Sequence, residues 1–117
     1  MIVCKKQTTD LQQGIQNLID TMVEDYAKWA KSMDWDDSTT VKFADKIRTT
    51  EGKKYIKIVE NGGGVKAFVV GVDNDKKFKK GDILLPAGFN APARNFARGN
   101  ILDGGYGIAW TGPLYGK

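Results

Sequence analysis

The residues best suited to chemistry in this chain are its lysines and arginines, because the sequence contains no histidine and a single cysteine, Cys4. Histidine is the usual general base near neutral pH and the commonest metal ligand, so its absence excludes Ser-His-Asp, Cys-His and HExxH mechanisms. One cysteine also excludes an internal disulfide and a zinc site built from several thiolates. The sequence therefore favours a binding protein without metal or cofactor, although catalysis by carboxylates, lysines, tyrosines or the two serines stays open.

The densest basic cluster surrounds one aromatic residue. Lys76, Lys77, Lys79 and Lys80 flank Phe78, and lysines beside an aromatic ring can bind the phosphates and a base of a nucleic acid. The same pattern fits a soluble lysine-rich loop whose Phe78 lies in the core. In that case the lysines also keep a neighbouring strand edge from pairing with other molecules.

A second candidate site contains two arginines and neighbouring asparagines. Arg94 and Arg98 are four residues apart, so on a helix they would share one face and repel each other unless an acidic group lies nearby. That group could be an aspartate of the N-terminal helix, in the same chain or in a second subunit. Alternatively, the arginines bind a phosphate or carboxylate in bidentate fashion, with Asn90, Asn95 and Asn100 as further donors.

Two other groups of residues have a structural as well as a functional explanation. Asp34, Asp36 and Asp37 could hold calcium or magnesium, but they lack the glycine and the distal glutamate of a calcium loop, so a solvated turn and no metal site is predicted. The large aromatic residues could form a stacking platform for nucleic acid or a sugar, but a chain of this size also needs them in its core. These residues are Tyr26, Trp29, Trp35, Tyr106, Trp110 and Tyr115.

A long amphipathic helix should position the acidic residues. Thr9-Asp10-Leu11-Gln12 fits a capping box with Thr9 as the N-cap. Apolar residues then recur every three or four positions as far as Met33, after which a cluster of aspartates opposes the helix dipole. The sequence predicts one helix over this range, and Gly14 within it indicates close packing against another backbone.

The rest of the chain predicts short strands. Asn61-Gly62-Gly63-Gly64 is typical of a tight hairpin turn, and the apolar or alternating runs around it are typical of strands. The predicted strands are Thr39–Arg48, Lys54–Val59, Val65–Val72, Ile83–Leu85 and one that contains Tyr106, Ile108 and Trp110. Asn90, Pro92 and Gly99 are typical of the two ends of a helix and predict a short second helix near residues 91–98.

The predicted fold class is α+β, with a single domain over residues 1–117. In it a long N-terminal amphipathic helix packs on a small antiparallel β-sheet, a meander of about four to five strands. The sequence shows no run of about 18 apolar residues and no secretory signal, so we expect a cytoplasmic protein without a membrane segment.

Charge is distributed unevenly along the chain, whose net charge is +4. Residues 9–38 contain seven acidic residues and two lysines, whereas residues 39–117 contain fourteen basic and seven acidic residues. The helix is therefore acidic and the remainder basic. This asymmetry predicts an acidic partner for the sheet, either the helix of the same chain, the helix of a second copy, or a nucleic acid.

Three segments resemble uncharacterised small proteins of marine bacteriophages, including cyanophages. They are Lys54–Val59, Lys80–Ala87 (KGDILLPA) and Asn90–Asn100 (NAPARNFARGN). The resemblance covers roughly the second half of the chain and leaves out the acidic helix. It implies a viral protein that works in the cytoplasm of a bacterial host or in the virion, and it transfers no catalytic residue.

Together these patterns favour a non-enzymatic phage accessory or structural protein that acts by protein binding and self-association, with the acidic helix of one copy against the basic sheet of the next. The alternative is a nucleic-acid-binding module that uses the basic loop and the predicted short helix. The candidate residues for binding a ligand or partner are Lys76, Lys77, Phe78, Lys79, Lys80, Asn90, Arg94, Asn95 and Arg98.

Overall fold

The protein has an α+β fold, as the sequence predicts, but its strands form two sheets rather than one. The computed structural model describes residues 2–113. In chain order the elements are β1 Ile2–Cys4, α1 Leu11–Ser32, α2 Ser38–Lys46, β2 Ile47–Glu51, β3 Tyr55–Glu60, β4 Gly64–Val70, β5 Ile83–Leu84, β6 Tyr106–Ala109 and β7 Gly112–Pro113. One sheet has the order β2-β3-β4-β5 and the other the order β1-β6-β7.

Helix α1 confirms the predicted amphipathic helix. Its N-cap is Asp10 rather than Thr9, because the Asp10 carboxylate accepts the backbone N–H of Gln12 at 3.0 Å. The apolar side of the helix is enclosed, and Leu18 and Met22 belong to one core cluster with residues of both sheets. α1 packs on β1 and β6 of the three-stranded sheet and on α2, while Asp20 and Glu24 are exposed on its other side.

A Schellman motif ends α1 at the predicted place. The Trp35 N–H donates to Ala30 O at 2.9 Å and the Asp34 N–H donates to Lys31 O at 3.0 Å, while Asp34 has a left-handed φ of 59°. Glycine is the usual residue at this position because it has no β-carbon. The motif turns the chain back so that the rings of Trp35 and Trp29 lie 4.8 Å apart, measured between centroids.

Gly14 lies in α1 where another segment approaches it closely. A β-carbon at Gly14 would lie 3.0 Å from the Ile101 side chain and 3.1 Å from the Ile101 carbonyl oxygen. The close packing indicated by the sequence is therefore present. Glycine costs about 1 kcal/mol relative to alanine in a helix interior. The packing of the buried Ile101 against Gly14 offsets this cost in helix propensity.

The four-stranded sheet confirms the predicted antiparallel meander. The turn between β3 and β4 contains Gly62 and Gly64, whose φ values of 81° and 87° favour glycine. The two faces of this sheet have different surroundings. Ile56, Ile58 and Val69 point into the core cluster that contains α1, on what we term the inner face.

The opposite face of the four-stranded sheet is termed the outer face. Residues directly paired across antiparallel strands lie on the same side of a sheet. Thr50 pairs with Lys57, Lys57 with Phe68, and Phe68 with Leu84, so these four residues share the outer face. The connection between β4 and β5 and the segment after β5 cover part of this face, since Phe78 and Ala97 pack on Phe68 and Leu84.

The three-stranded sheet was predicted only in part. β6 confirms the strand expected around Tyr106 and Ile108, but β1 and β7 were not predicted. Ile2 pairs with Ile108, and Ile108 pairs with Pro113 on the other side. Strands of two or three residues are too short to show a hydrophobic periodicity, so neither β1 nor β7 could be identified from pattern alone.

The strand predicted over Thr39–Arg48 is wrong for most of its length. Ser38–Lys46 form α2, and the strand β2 begins at Ile47. The buried residues of the segment, Phe43 and Ile47, are four positions apart. That spacing fits one turn of a helix as well as two alternations of a strand, so the local pattern was ambiguous.

The short helix predicted near residues 91–98 is also wrong in its position, because the second helix of the fold is α2. The segment instead runs extended beside β5, where the Arg98 N–H donates to Ile83 O and the Ala93 N–H donates to Leu85 O, both at 2.7 Å. Carbonyl oxygens at the strand edge thus accept hydrogen bonds from N–H groups that in a helix would donate to carbonyl oxygens of the same helix. A helix of two turns gains too little from cooperativity to compete with this pairing.

Candidate functional site

Asp75 organises the lysine-rich loop between β4 and β5. Its buried carboxylate accepts the backbone N–H groups of Lys77 and Phe78, each at 2.8 Å. The same carboxylate pairs with Arg94 at 3.0 Å and with Lys54 at 2.9 Å. Arg94 first, and then Lys54 and the two N–H groups, hold the pKa of Asp75 well below its usual range, so this acid is charged at neutral pH.

Phe78 is a core residue and cannot stack on a base. Its side chain is 5% exposed and packs with Phe68, Val70 and Leu84 on the outer face. The Arg94 guanidinium lies 4.9 Å from the centroid of the Phe78 ring. Of the two interpretations of the Lys76–Lys80 cluster, the structure therefore supports the one in which Phe78 fills the core.

Arg94 pairs with Asp75 and not with the acidic helix, contrary to one of the alternatives from the sequence. Its Nη1 also donates to the Tyr55 hydroxyl, and its carbonyl oxygen accepts a hydrogen bond from Lys77 Nζ at 2.6 Å. Because no helix forms over residues 91–98, Arg94 and Arg98 do not share a helix face. The like-charge repulsion expected from a helical spacing therefore does not arise.

Arg98 and Asn95 lie at a separate location. The Arg98 guanidinium lies 3.9 Å from the centroid of the Phe96 ring, and the Asn95 side chain accepts the Phe96 N–H at 2.8 Å. Both residues line a cleft of about 410 Å³ together with Lys66 of β4 and Pro113 of β7. The structure thus separates Asn95 and Arg98 from Arg94 and the Asp75 cluster.

The remaining lysines of the predicted cluster do not form one binding face. Lys79 pairs with Asp103 at 3.3 Å, and both side chains are well exposed, so this ion pair contributes little to stability. Lys80 is held through its backbone, since its carbonyl oxygen accepts a hydrogen bond from the Asn100 side chain at 3.0 Å. Within residues 2–113, Lys76 takes part in no ion pair.

The outer face carries a lysine beside an exposed aromatic ring. Lys57 Nζ lies 4.1 Å from the centroid of Phe89, which is 60% exposed, and 3.5 Å from Asn90 Oδ1. Lys57 and Asn90 also line a cavity of about 210 Å³ together with Lys53 and Lys54. This arrangement brings an ammonium group, an amide and an aromatic face into one small region.

A chain of contacts links these residues to the Asp75 cluster along one surface of the protein. Lys54 contacts Asp75, and Asp75 contacts Arg94, which in turn contacts Tyr55 next to the cavity. We name this surface the basic face, and it consists of Lys53, Lys54, Lys57, Lys77, Phe89, Asn90 and Arg94. It contains five cationic residues, of which Lys54 and Arg94 pair with the Asp75 carboxylate.

The acidic side of α1 does not neutralise the basic face within one copy of the chain. Asp20 and Glu24 are exposed on α1, which packs on the inner face of the four-stranded sheet. Lys57 and Phe89 lie on the outer face. The sheet therefore separates the two charged regions of the protein.

Of the basic face, Lys77, Asn90 and Arg94 are among the candidates from the sequence, whereas Lys53, Lys54, Lys57 and Phe89 are not. A signal for Lys57 was present, because it alternates with the apolar residues Ile56 and Ile58 and must therefore point to the opposite face. Phe89 has no such signal beyond its place between glycine and asparagine in a segment with few strand-forming residues.

The aromatic residues considered as a stacking platform lie away from the basic face. Tyr106 is buried in the core, and Tyr115 lies outside the described residues. The other four pack against one another where α1, α2 and the end of β6 meet; they are Tyr26, Trp29, Trp35 and Trp110.

Comparisons with protein-family models, curated proteins and solved structures find no match to this chain. Over residues 2–113, no helix is both long and apolar enough to cross a membrane. The same residues contain no group of three or more His, Cys, Asp or Glu side chains that could hold a metal ion.

Proposed function

We propose that the protein binds single-stranded nucleic acid on the basic face and catalyses no reaction there. The observation that carries this proposal is the contact between Lys57 and the exposed ring of Phe89. Lysines that neutralise phosphates release counterions, and an exposed aromatic ring offers a surface on which any base can stack. The amide of Asn90, next to both, can accept or donate a hydrogen bond at a base edge.

The basic face is organised before any ligand binds. Lys54 and Arg94 are held by Asp75, and Lys77 is held by its hydrogen bond to the Arg94 carbonyl oxygen. Long side chains that are already ordered lose less conformational entropy on binding. Within residues 2–113, Lys53, Lys57 and Lys77 of the basic face take part in no ion pair. Because Lys77 is held by the Arg94 carbonyl oxygen, Lys53 and Lys57 are the residues best able to contact phosphates.

A single strand suits this surface better than a duplex. A base can stack on Phe89 only when it is not stacked between its neighbours, which is the usual situation in single strands. Recognition of duplex DNA commonly places a helix in the major groove. Here α1 and α2 lie on the inner side of the four-stranded sheet, so neither helix projects from the basic face.

Anisotropy titrations of a fluorescent single-stranded DNA oligonucleotide, from about 50 mM salt upward, test the proposal. We expect an affinity that falls as salt rises. Lys57→Gln should reduce the slope of log K against log salt by about 1, because one phosphate contact is lost. Phe89→Ala should weaken binding by about 1–3 kcal/mol, the size of one base-stacking contact, and Phe89→Trp should retain it.

Two matched variants control for general effects of charge and apolar surface. Lys31→Gln removes the same charge from the exposed side of α1, and Val41→Ala shortens an apolar side chain that is as exposed as Phe89. Neither should change the affinity. Lack of binding at about 50 mM salt, or an equal loss in Lys31→Gln, would contradict the proposal. Tighter binding to duplex than to single strands would contradict its single-strand part.

The resemblance to marine bacteriophage proteins belongs to the same proposal. In that setting the protein would meet single-stranded nucleic acid in the cytoplasm of an infected bacterium or in the assembling virion. The sequence also favoured self-association, with the acidic helix of one copy against the basic sheet of the next. Self-association through the basic face stays a prediction. A different surface of the molecule supports self-association in a more specific form, which is described below.

A further inference from the structure

A groove lined by aromatic side chains opens where α1, α2 and the end of β6 meet. Tyr26 stacks on Phe43 with 4.3 Å between ring centroids, and Trp29 stacks on Trp110 at 5.0 Å. Trp35 forms one wall and is 43% exposed, although tryptophan is among the side chains that gain most from burial. The groove has a volume of about 320 Å³ and is termed the aromatic groove.

The backbone keeps Trp35 at the surface. The Schellman motif that ends α1 fixes the Trp35 N–H to Ala30 O, and the edge-to-face contact with Trp29 fixes the ring. These contacts hold Trp35 at the end of α1, where its side chain is 43% exposed. Exposed tryptophans in fixed positions are typical of the centre of protein interfaces.

Both signs of charge flank the aromatic groove. Lys42 and Lys46 lie one turn apart on α2 and line it, whereas Asp36 and Asp37 follow Trp35 directly in the chain. Among residues 2–113, none of these four takes part in an ion pair. Glu60, which also lines the groove, is already paired with Lys66 at 2.9 Å.

We propose that two copies of this chain associate through the aromatic groove with twofold symmetry. In this interface Trp35 of each copy packs against the groove of the other, and Asp36 and Asp37 of each copy face Lys42 and Lys46 of the other. A twofold interface uses the same patch on both subunits, so the patch must complement itself. A patch with an apolar centre and with two carboxylates and two ammonium groups that form no ion pair within residues 2–113 meets this requirement.

A second copy fits this surface better than other occupants. An acidic peptide would satisfy the two lysines and leave the aspartates unpaired, and a basic partner would do the reverse. Only a partner with the same two pairs of charges neutralises all four, and this chain supplies one. The inference is independent of the proposed function because it uses no residue of the basic face.

Sedimentation velocity over a range of protein concentrations tests this inference. The wild-type protein should show a reversible equilibrium between monomer and dimer. The charge-reversal pair Lys42→Glu with Lys46→Glu should weaken self-association at least about tenfold, and so should the pair Asp36→Lys with Asp37→Lys, since each places like charges across the interface. An equimolar mixture of the two double variants should recover a dimer, because both halves of the mixed interface then carry opposite charges.

Further variants separate the interface from general effects on the fold. Asp20→Lys with Glu24→Lys reverses two charges one turn apart on the exposed side of α1 and should leave association unchanged. Trp35→Phe should weaken association roughly tenfold while the circular dichroism spectrum stays that of the wild type. A monomer at all concentrations, no recovery in the mixture, or an equal loss in the α1 control would each overturn the inference.

Discussion

Arg94 Nη2 lies 3.0 Å from Asp75 Oδ1, and this ion pair joins the lysine-rich loop to the segment that follows β5. The two residues are nineteen positions apart, and Lys54 adds a third segment from the start of β3. One carboxylate therefore connects three parts of the chain on the outer face. The arrangement also sets the positions of most cations of the basic face.

Asp75→Asn should destabilise the loop and lower the melting temperature by several degrees. An amide keeps one acceptor for the backbone N–H groups but leaves Arg94 and Lys54 without a countercharge. Hydrogen exchange over residues 76–80 should become faster than in the wild type. Asp73→Asn, two positions earlier and exposed, is the matched control and should have no such effect; equal effects of both substitutions would contradict the role given to Asp75.

The same carboxylate predicts a loss of stability in acid. Arg94 holds the pKa of Asp75 below its usual range in the folded protein, so the unfolded chain binds this proton more readily. The contribution of Asp75 is therefore fully present above its unfolded pKa of about 3.9 and is lost as the pH falls below that value. Urea unfolding at a series of pH values should show a steeper acid loss for the wild type than for Asp75→Asn. Parallel curves would contradict the prediction.

Gly14→Ala should destabilise the protein by about 1–3 kcal/mol, although alanine is the better helix former. The added methyl group would meet both the side chain and the carbonyl oxygen of Ile101. Urea unfolding measures the change. Gln16→Ala, on the exposed side of the same helix, should stay within about 0.5 kcal/mol of the wild type. Adding Ile101→Val to Gly14→Ala should recover part of the loss, and a stabilising Gly14→Ala would show that the contact is not restrictive.

Asp34→Gly should stabilise the protein by about 0.5–1 kcal/mol. Glycine adopts the left-handed φ of this position without strain, and the substitution removes a negative charge from the negative end of the α1 dipole. Asp36→Gly is the matched control, because Asp36 has no left-handed φ and its carboxylate accepts the Ser38 N–H. The control should be destabilised, as measured by thermal and urea unfolding. A loss of stability in Asp34→Gly would contradict the description of this helix end.

The elements that the sequence predicted well are those with a clear local pattern. α1 has an apolar stripe over six turns, and β3 and β4 flank a turn rich in glycine. In both places the local sequence signals agree with the element that forms. Two segments were predicted wrongly, for different reasons. The pattern of Thr39–Arg48 fits a helix as well as a strand, and most of that segment forms α2. In the second segment the local signal was real but weaker than long-range pairing. Residues 91–98 contain cap residues for a helix, yet their N–H groups bond to β5.

The basic face could be predicted only in part because its contacts join distant segments. The charge of the second half of the chain indicated a basic surface, and Lys77, Asn90 and Arg94 were named from it. Nothing local shows that Arg94 pairs with Asp75, nor that Phe89 lies over Lys57, thirty-two positions earlier. Such pairs follow from topology, which local spacing does not specify.

The pairing of Ile2 with Ile108 has a consequence for the order in which the protein can fold during synthesis. β1 and α1 leave the ribosome first, but the strand that pairs with β1 and packs on α1 is made last among these elements. Until β6 emerges, the apolar side of α1 lacks part of its cover, whereas the meander from β2 to β4 relies on neighbours in the chain and can form early. A nascent chain stalled before Tyr106 would therefore hold a folded meander beside an exposed helix, a species prone to aggregation or chaperone binding.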